Sequence, residues 1–475
     1  MPPSSIPAPA GPTTVLVAGA SGFVGRALGP ALAARHRVVG LSRQDRAGSD
    51  GYDRFLRCDL LSLEDTERAL VGVRVAVYLV HSMMPSARLT QASFADIDLL
   101  CADNFARAAA KAGVERIVYL GGLIPGGGGG GGDEPGALSE HLRSRLEVER
   151  VLASTGVPVT VLRAGLVLGA AGSSFQIVSR LVRRLPIMVC PRWTHTRTQP
   201  VALADVVALL TFAVDDAASA GQIFDIAAPE VVSYLEIMRR VAALSGVRRR
   251  FFGVPLFSPG LSRLWLSLVT GAPRALAGPL VESLRHEMTA RDDRLARAAG
   301  LTPTPFEAAL GAAIAEDGRL TADPFATAAK DPNPVRSTVL SIQRITAPAG
   351  LDAASLALRY ARWCAGALGW ILRVVHDADG SLRFRLRGTG LDLLVLAPMS
   401  ERSAPDRFVY GIVGGALAIA GQSGTFEFRT TGEGTALTIV RDFEPRLPWW
   451  IYRVTQAIAH ALVMWAFGRS LAPAH

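Results

Sequence analysis

Residues 15–25 read VLVAGASGFVG, and residues 38–43, VVGLSR, answer them a short way along the chain. A run of small and β-branched residues ends in Gly19, Gly22 and Gly25, after which Leu28 and Leu32 recur at helical spacing. The pattern is strand, tight turn, helix, strand. Each glycine does something a side chain would obstruct. Gly19 permits the turn, Gly22 lets backbone amides come close to a pyrophosphate, and Gly25 lets the helix pack on its strand. The helix start then offers unpaired N–H groups and the positive end of its dipole to phosphate. A glycine-rich turn in any α/β domain is the plain alternative; the placement after one strand and before a helix and a second strand favours a dinucleotide site.

The chain has 475 residues, more than one core usually serves, and 49% of them are hydrophobic, so two or three packed domains are expected. Cys58, Cys101, Cys190 and Cys364 stand apart with no CxxC pair. That argues against a disulfide framework and a metal site, and fits a reducing cytoplasm. Residues 1–12 lack a basic segment followed by an apolar one and read as a disordered tail. The net charge of +9 comes with no basic patch interleaved with aromatics, which argues against nucleic-acid binding. The one tight basic run, Arg248, Arg249 and Arg250 followed by Phe251 and Phe252, reads as a solvated helix end or as a contact with a membrane surface or an acidic partner. No run reaches the roughly 18–20 apolar residues of a spanning helix. Ile451 to Phe467 comes nearest but is interrupted by Arg453, Gln456 and His460, so peripheral membrane contact stays open.

From Thr13 to about Val167 strands alternate with helices, which implies a doubly wound parallel sheet. Strands are expected at 15–18, 38–41, 55–57, 75–79, 117–120 and 159–163, and helices at 63–71, 94–112 and 138–154. Pro125 to Pro135 carries seven consecutive glycines and reads as a flexible insertion beside the ligand crevice, either a lid or a neutral length variation. Residues 175–320 read as a mostly helical substrate-side subdomain. AspProAsnPro at 331–334 marks a linker. The expected division is therefore 1–12 tail, 13–330 nucleotide-binding domain and 335–475 C-terminal α+β domain. The last holds antiparallel strands at 382–386, 391–396, 408–413, 424–430 and 435–442 and one long helix at 448–467. Trp449, Trp450 and Trp465 on that helix either line an apolar cavity for lipid-like molecules or form the core of the domain.

Several motifs stand in order: the GxxGxxG turn, Asp59 and Leu60, TyrLeuGlyGlyLeu at 119–123, LeuArgAlaGly at 162–165 and GlnProValAlaLeuAlaAspVal at 199–206. With these the chain resembles an atypical, extended-like short-chain dehydrogenase/reductase, similar to nucleoside-diphosphate-sugar-epimerase-like proteins, over residues 13 to about 318. The part beyond residue 331 resembles a helix-grip fold on topology alone. The resemblance implies that Gly19, Ser21, Gly22, Phe23, Val24 and Gly25 line the pyrophosphate and that Asp59 and Leu60 flank the adenine. Arg43, just after the second strand where an acid would bind a ribose hydroxyl, implies NADP(H) over NAD(H); a solvated loop residue is the alternative. His81 and Ser82 follow the fourth strand on the nicotinamide side, or His81 is a buried capping residue. Arg163 orients cofactor or substrate, or makes a structural ion pair.

The family's proton donor is a tyrosine four residues before a lysine, with a serine at the preceding strand end. Here that strand ends in Gly121 and Gly122, and His141 and Arg145 take the tyrosine and lysine places on one helical face. Arginine keeps a permanent charge for a ribose or phosphate, and histidine can donate a proton near neutral pH. Two readings follow. The chain is an NADP(H)-dependent oxidoreductase acting on an apolar small molecule with His141 as general acid, or a non-catalytic NAD(P)H-binding sensor or assembly protein.

Overall fold

Apolar strands separated by helices form a parallel sheet covered on both faces, and the computed structural model shows one. It describes residues 13–48, 51–81, 87–125, 138–254, 282–318, 336–348, 350–419, 424–431 and 434–471. They make two compact units, Met1–Met84 with Asp98–Pro332, and Pro85–Ile97 with Asn333–His475. The tail, the glycine run after Pro125, Ser82 and the linker lie outside the described residues.

In chain order the first strands are β1 (Thr14–Ala18), β2 (Arg37–Ser42), β3 (Arg54–Arg57), β4 (Val75–Tyr78), β5 (Ala87–Gln91), β6 (Arg116–Gly122) and β7 (Val159–Ala164). There follow β8 (Val167–Leu168), β9 (Ile187–Pro191), β10 (Arg197–Thr198), β11 (Val201–Ala202), β12 (Ile223–Ile226), β13 (Val232–Ser233) and β14 (Arg250–Val254). The helices among them are α1 (Phe23–Ala33), α2 (Leu63–Leu70), α3 (Phe94–Ala112), α4 (Glu140–Ala153), α5 (Ser173–Arg184), α6 (Leu203–Asp215) and α7 (Tyr234–Leu244).

Seven strands form one sheet in the order β12-β7-β6-β4-β1-β2-β3, every pair parallel. Leu16, Val39, Tyr78 and Tyr119 face α2, α3 and α4 on one side, and Val15, Val17, Val77 and Leu162 face α1 and α6 on the other. The strand order turns back between β1 and β4, so the crevice for a ligand lies at their carboxyl ends. A third core gathers α5, α7 and the helix Phe306–Asp317 around Trp193 and Tyr234. The basic run is structural at Arg249, whose guanidinium donates to Val182 O and Arg183 O at the end of α5. There its charge opposes the negative end of the helix dipole.

The second unit adds β15 (Arg336–Thr346), β16 (Leu372–His376), β17 (Leu382–Leu386), β18 (Asp392–Pro398), β19 (Arg407–Gly414), β20 (Thr425–Thr430) and β21 (Thr435–Phe443). Its sheet runs β16-β17-β18-β19-β20-β21-β15-β5, antiparallel except for the β15/β5 edge. On it lie the helices Ala353–Ala367 and Gln456–Leu471, joined by Tyr360, whose ring meets those of Phe426, Phe428 and Phe467 at 5.5, 5.5 and 5.2 Å.

Three features depart from expectation. Strand β5 lies inside the span assigned to the first domain yet pairs with β15, Leu89 beside Val339. The single C-terminal helix is two, Trp449–Val454 and Gln456–Leu471, broken at Thr455. There the hydroxyl donates to Ile451 O at 2.6 Å, and such back-bonding competes with the helical ladder and bends it. Finally, Trp450 and Trp465 point to solvent rather than into a core or cavity.

Candidate functional site

The glycine turn is built by steric necessity. Gly19 has φ +90°, and a Cβ there would sit 3.1 Å from Leu79, while a Cβ on Gly25 would lie 2.3 Å from Gly19 O. No side chain larger than hydrogen fits at Gly25 without prising α1 off the turn. Gly22 N–H donates to Gly19 O at 2.9 Å, closing the loop. Helix α1 has no side-chain cap at Gly22 and no acid in its first turn. Its leading amides are thus left to an incoming anion. Ser21 and Gly22 are exposed, Phe23 and Val24 half-buried, and the Phe23 ring packs where a Cβ on Gly169 or Gly172 would be. The residues present fit a pyrophosphate.

Arg43 is exposed immediately after β2. Asp59 shapes the next turn: its Oδ1 accepts from Leu61 N at 3.1 Å and its carbonyl from Ser62 N, while Leu60 O accepts from Asn104 Nδ2 at 2.8 Å. All three sit past the carboxyl ends of β2 and β3, on the edge of the sheet that carries the glycine turn.

The carboxyl ends of β4 and β6 hold the other cluster. Ser139 caps α4 by accepting from Leu142 N, which sets His141 in the first turn and Arg145 one turn later. Three residues past β4, His81 donates from Nδ1 to Asp98 Oδ2 at 2.6 Å, and Arg145 Nη2 reaches the same oxygen at 3.1 Å. The rings of His81 and His141 stand 4.9 Å apart. Burial pushes both imidazoles below their usual range, and the Arg145 charge adds to it. The effect is stronger at His141, where His81 also contributes. At neutral pH the two rings are neutral. Burial works against the Arg145 charge, but Tyr119, Asp98 and Tyr78 hold it above even arginine's ordinary value. Asp98 holds the one proton of neutral His81 on Nδ1 and so leaves its Nε2 an acceptor, beside the ring of His141.

The tyrosines do not take the donor's place. Burial pushes the phenol of Tyr119 up to about 12 and that of Tyr78 well above its usual value, and Tyr119 Oη donates to Arg145 O at 3.2 Å. Arg163 forms a bidentate pair with Glu149, at 3.0 and 2.8 Å. The structure thus brings His81, His141 and Arg145 together and sets Arg163 in a pair on α4.

Sequence reading missed Asp98, the residue that organises the cluster. It is fully buried on α3, at the head of the series Asp98, Ala102, Phe105, Ala109, every one buried. An acid where helical spacing calls for an apolar residue was the available signal. Among the described residues no group of His, Cys, Asp and Glu could hold a metal ion.

Residues 15–227 match the sequence model of the NAD dependent epimerase/dehydratase family. Over 110 residues, 23% of this chain, the sequence is 31% identical to the auxiliary protein GraX of Staphylococcus aureus (strain NCTC 8325 / PS 47). That match spans 36% of GraX. In structure the chain is similar to a putative epimerase from Burkholderia cenocepacia J2315, with TM-score 0.50 and 19% identity, covering 65% of this chain and 99% of that one. It is similar also to a nucleoside-diphosphate-sugar epimerase from Staphylococcus aureus, with TM-score 0.50 and 14% identity, covering 63% and 100%. At such identities the likeness is one of fold. The parallel sheet, its turn-back between β1 and β4 and the glycine cradle are thus the part of the chain, residues 15–227, that is similar to the NAD dependent epimerase/dehydratase family.

Proposed function

We propose that the protein is an NADP(H)-dependent oxidoreductase that acts in the cytoplasm on an apolar carbonyl or quinone, with His141 exchanging the proton. The observation that carries this reading is the His81–His141 pair, anchored on Asp98 at the ends of strands that neighbour the glycine turn. Gly19, Ser21, Gly22, Phe23, Val24 and Gly25 hold the pyrophosphate, Asp59 and Leu60 flank the adenine, and Arg43 meets a ribose 2′-phosphate. The bound nicotinamide supplies or takes the hydride. His141 donates its N–H to the substrate oxygen and takes a proton back from solvent, while Asp98 keeps the one proton of neutral His81 on Nδ1, so that His81 orients the ring of His141 and supplies no proton itself. Residues 13–84 and 98–330 carry this chemistry, with 175–320 on the substrate side, and 335–475 together with β5 form an α+β module.

Purified protein incubated with NADPH and a panel of apolar carbonyl compounds and quinones should consume the reduced cofactor, and His141→Ala should abolish the reaction. Unchanged turnover in that variant removes His141 from the mechanism. A second reading, a non-catalytic NAD(P)H sensor, draws on one observation: Arg145 and Arg163, the candidates for a ribose or substrate contact, are each engaged by an internal carboxylate. Tight NADPH binding by calorimetry with no turnover across the panel would favour it.

A further inference from the structure

A helix on a protein surface normally turns an apolar face inward and a polar face outward. The C-terminal helix pair does not. At about 100° per residue, Ala457, Met464 and Phe467 fall on one side of Gln456–Leu471, and Ile458, Leu462, Trp465 and Arg469 fall on the other. The first three are buried in the domain core. Yet Ile458, Leu462 and Trp465 are 50, 59 and 59% exposed, and Trp450 and Val454 on the preceding short helix are 71 and 64% exposed. Five large apolar side chains at helical spacing thus line the outer side of both helices, where water gains nothing from them.

The charge carried by the helix pair itself is of one sign. Arg446, Arg453 and Arg469 are exposed, and no Asp or Glu follows Glu444 anywhere in the chain. The Arg469 guanidinium lies 5.1 Å from the centre of the Trp465 ring, at the rim of the stripe. Two copies of this surface placed face to face would oppose cation to cation. A surface of lipid phosphates would complement it. Tryptophan and arginine are the side chains that settle at the headgroup boundary, one end in hydrocarbon and the other in water. Among the described residues no helix is long and apolar enough to cross a membrane, so the segment has the character of one that lies on a bilayer.

We propose that the outer face of residues 446–469 is a membrane-docking surface. Trp450, Val454, Ile458, Leu462 and Trp465 enter the headgroup boundary of an anionic bilayer, and Arg446, Arg453 and Arg469 meet the lipid phosphates. The proposal is independent of the reaction assigned to the first unit.

The test is flotation of the full chain with phosphatidylcholine vesicles, with and without about 30% phosphatidylglycerol, at low and high salt. The wild type should float with the anionic vesicles, and less so as salt rises. Its tryptophan emission should shift to the blue only in their presence. Trp450→Ser with Trp465→Ser should cut the bound fraction about tenfold or more, since both rings are exposed and their loss leaves the core intact. Arg453→Glu with Arg469→Glu keeps the apolar stripe and should remove the preference for anionic lipid, at about fivefold per charge. Wild-type protein that stays with the unbound fraction, or tryptophan variants that float as well as wild type, would overturn the proposal. So would a concentration-dependent dimer in sedimentation that the tryptophan variants dissolve while no vesicle binds, because the stripe would then be a contact between copies. NADPH calorimetry on the same samples is a separate readout, and a failure there touches the oxidoreductase reading and not this surface.

Discussion

Each unit buries a carboxylate between two basic side chains, Asp98 in the first and Glu427 in the second, and the nature of those partners sets the two clusters apart. In the first, Asp98 Oδ2 is shared by His81 at 2.6 Å and Arg145 at 3.1 Å. In the second, Glu427 is held between Arg429 at 2.6 Å and Arg407 at 3.1 Å across β19 and β20. Burial raises the Glu427 pKa, but Arg429 and Arg407 outweigh it and the carboxyl ends up below its usual range. Both partners of that second carboxylate are arginines on neighbouring strands, so the cluster can lock strands together and do little else. Replacing an arginine with a histidine, as the first cluster in effect does, makes one partner able to give up or take a proton. A lock becomes a site where protons can move.

The sharpest way to break the contrast is Glu427→Ala, which leaves Arg407 and Arg429 buried against each other. Urea denaturation should show a loss of about 3–5 kcal/mol, with hydrogen exchange locating it in β19 to β21. If Arg407→Met, Glu427→Leu and Arg429→Met together restore most of that loss, the cluster holds its strands by shape and not by charge.

Acid comes next. The apolar core around His460 pushes its imidazole down from 6.5 to about 4. Below 6.5 the unfolded chain therefore binds the proton that the folded chain refuses. Stability is fully present above 6.5 and falls as the pH drops toward 4, by up to about 3 kcal/mol for this one group. Urea midpoints near neutral pH and at about pH 5 should show the fall, and His460→Phe should flatten it. His81 and His141 act in the same direction in the first unit.

Asp98→Asn should cost about 2 kcal/mol of stability by weakening the holds on Arg145 and His81. Turnover should drop about a hundredfold. Because the Asp98 charge raises both imidazoles, its removal should also move the acid limb of the rate profile to lower pH. A merely structural aspartate would lower the amount of folded enzyme and leave that limb where it was. The smallest effect belongs to Arg43→Ala, about tenfold weaker binding of NADPH with NADH unaffected. Equal weakening of both cofactors would take the 2′-phosphate away from Arg43.

Much of the first unit was legible because its signals are local. The alternation of apolar strands and helices carried the parallel sheet, and the three glycines carried the turn, since a Cβ at Gly25 has nowhere to go whatever lies farther off. The i, i+4 spacing put His141 and Arg145 on one face of α4. What they face was not legible. Asp98 arrives from another helix, and its contact with His81 and Arg145 exists only once β4, α3 and α4 have packed. Strand β5 reads ARLTQ, a stretch with no apolar run to mark it, and becomes a strand because β15 supplies its hydrogen bonds from the far part of the chain. Thr455 looked like one residue of a long helix until its own hydroxyl was seen competing for Ile451 O.

By itself, then, the sequence determined backbone form: where strands run and where the chain must turn on glycine. These follow from sterics and hydrophobic periodicity within a dozen residues. Only the tertiary structure decided protonation and exposure. Whether an imidazole is charged, whether an arginine is offered to a ligand or spent on a carboxylate, and whether a tryptophan meets core or water all depend on groups brought together from distant parts of the chain, through desolvation and charge that no local pattern encodes.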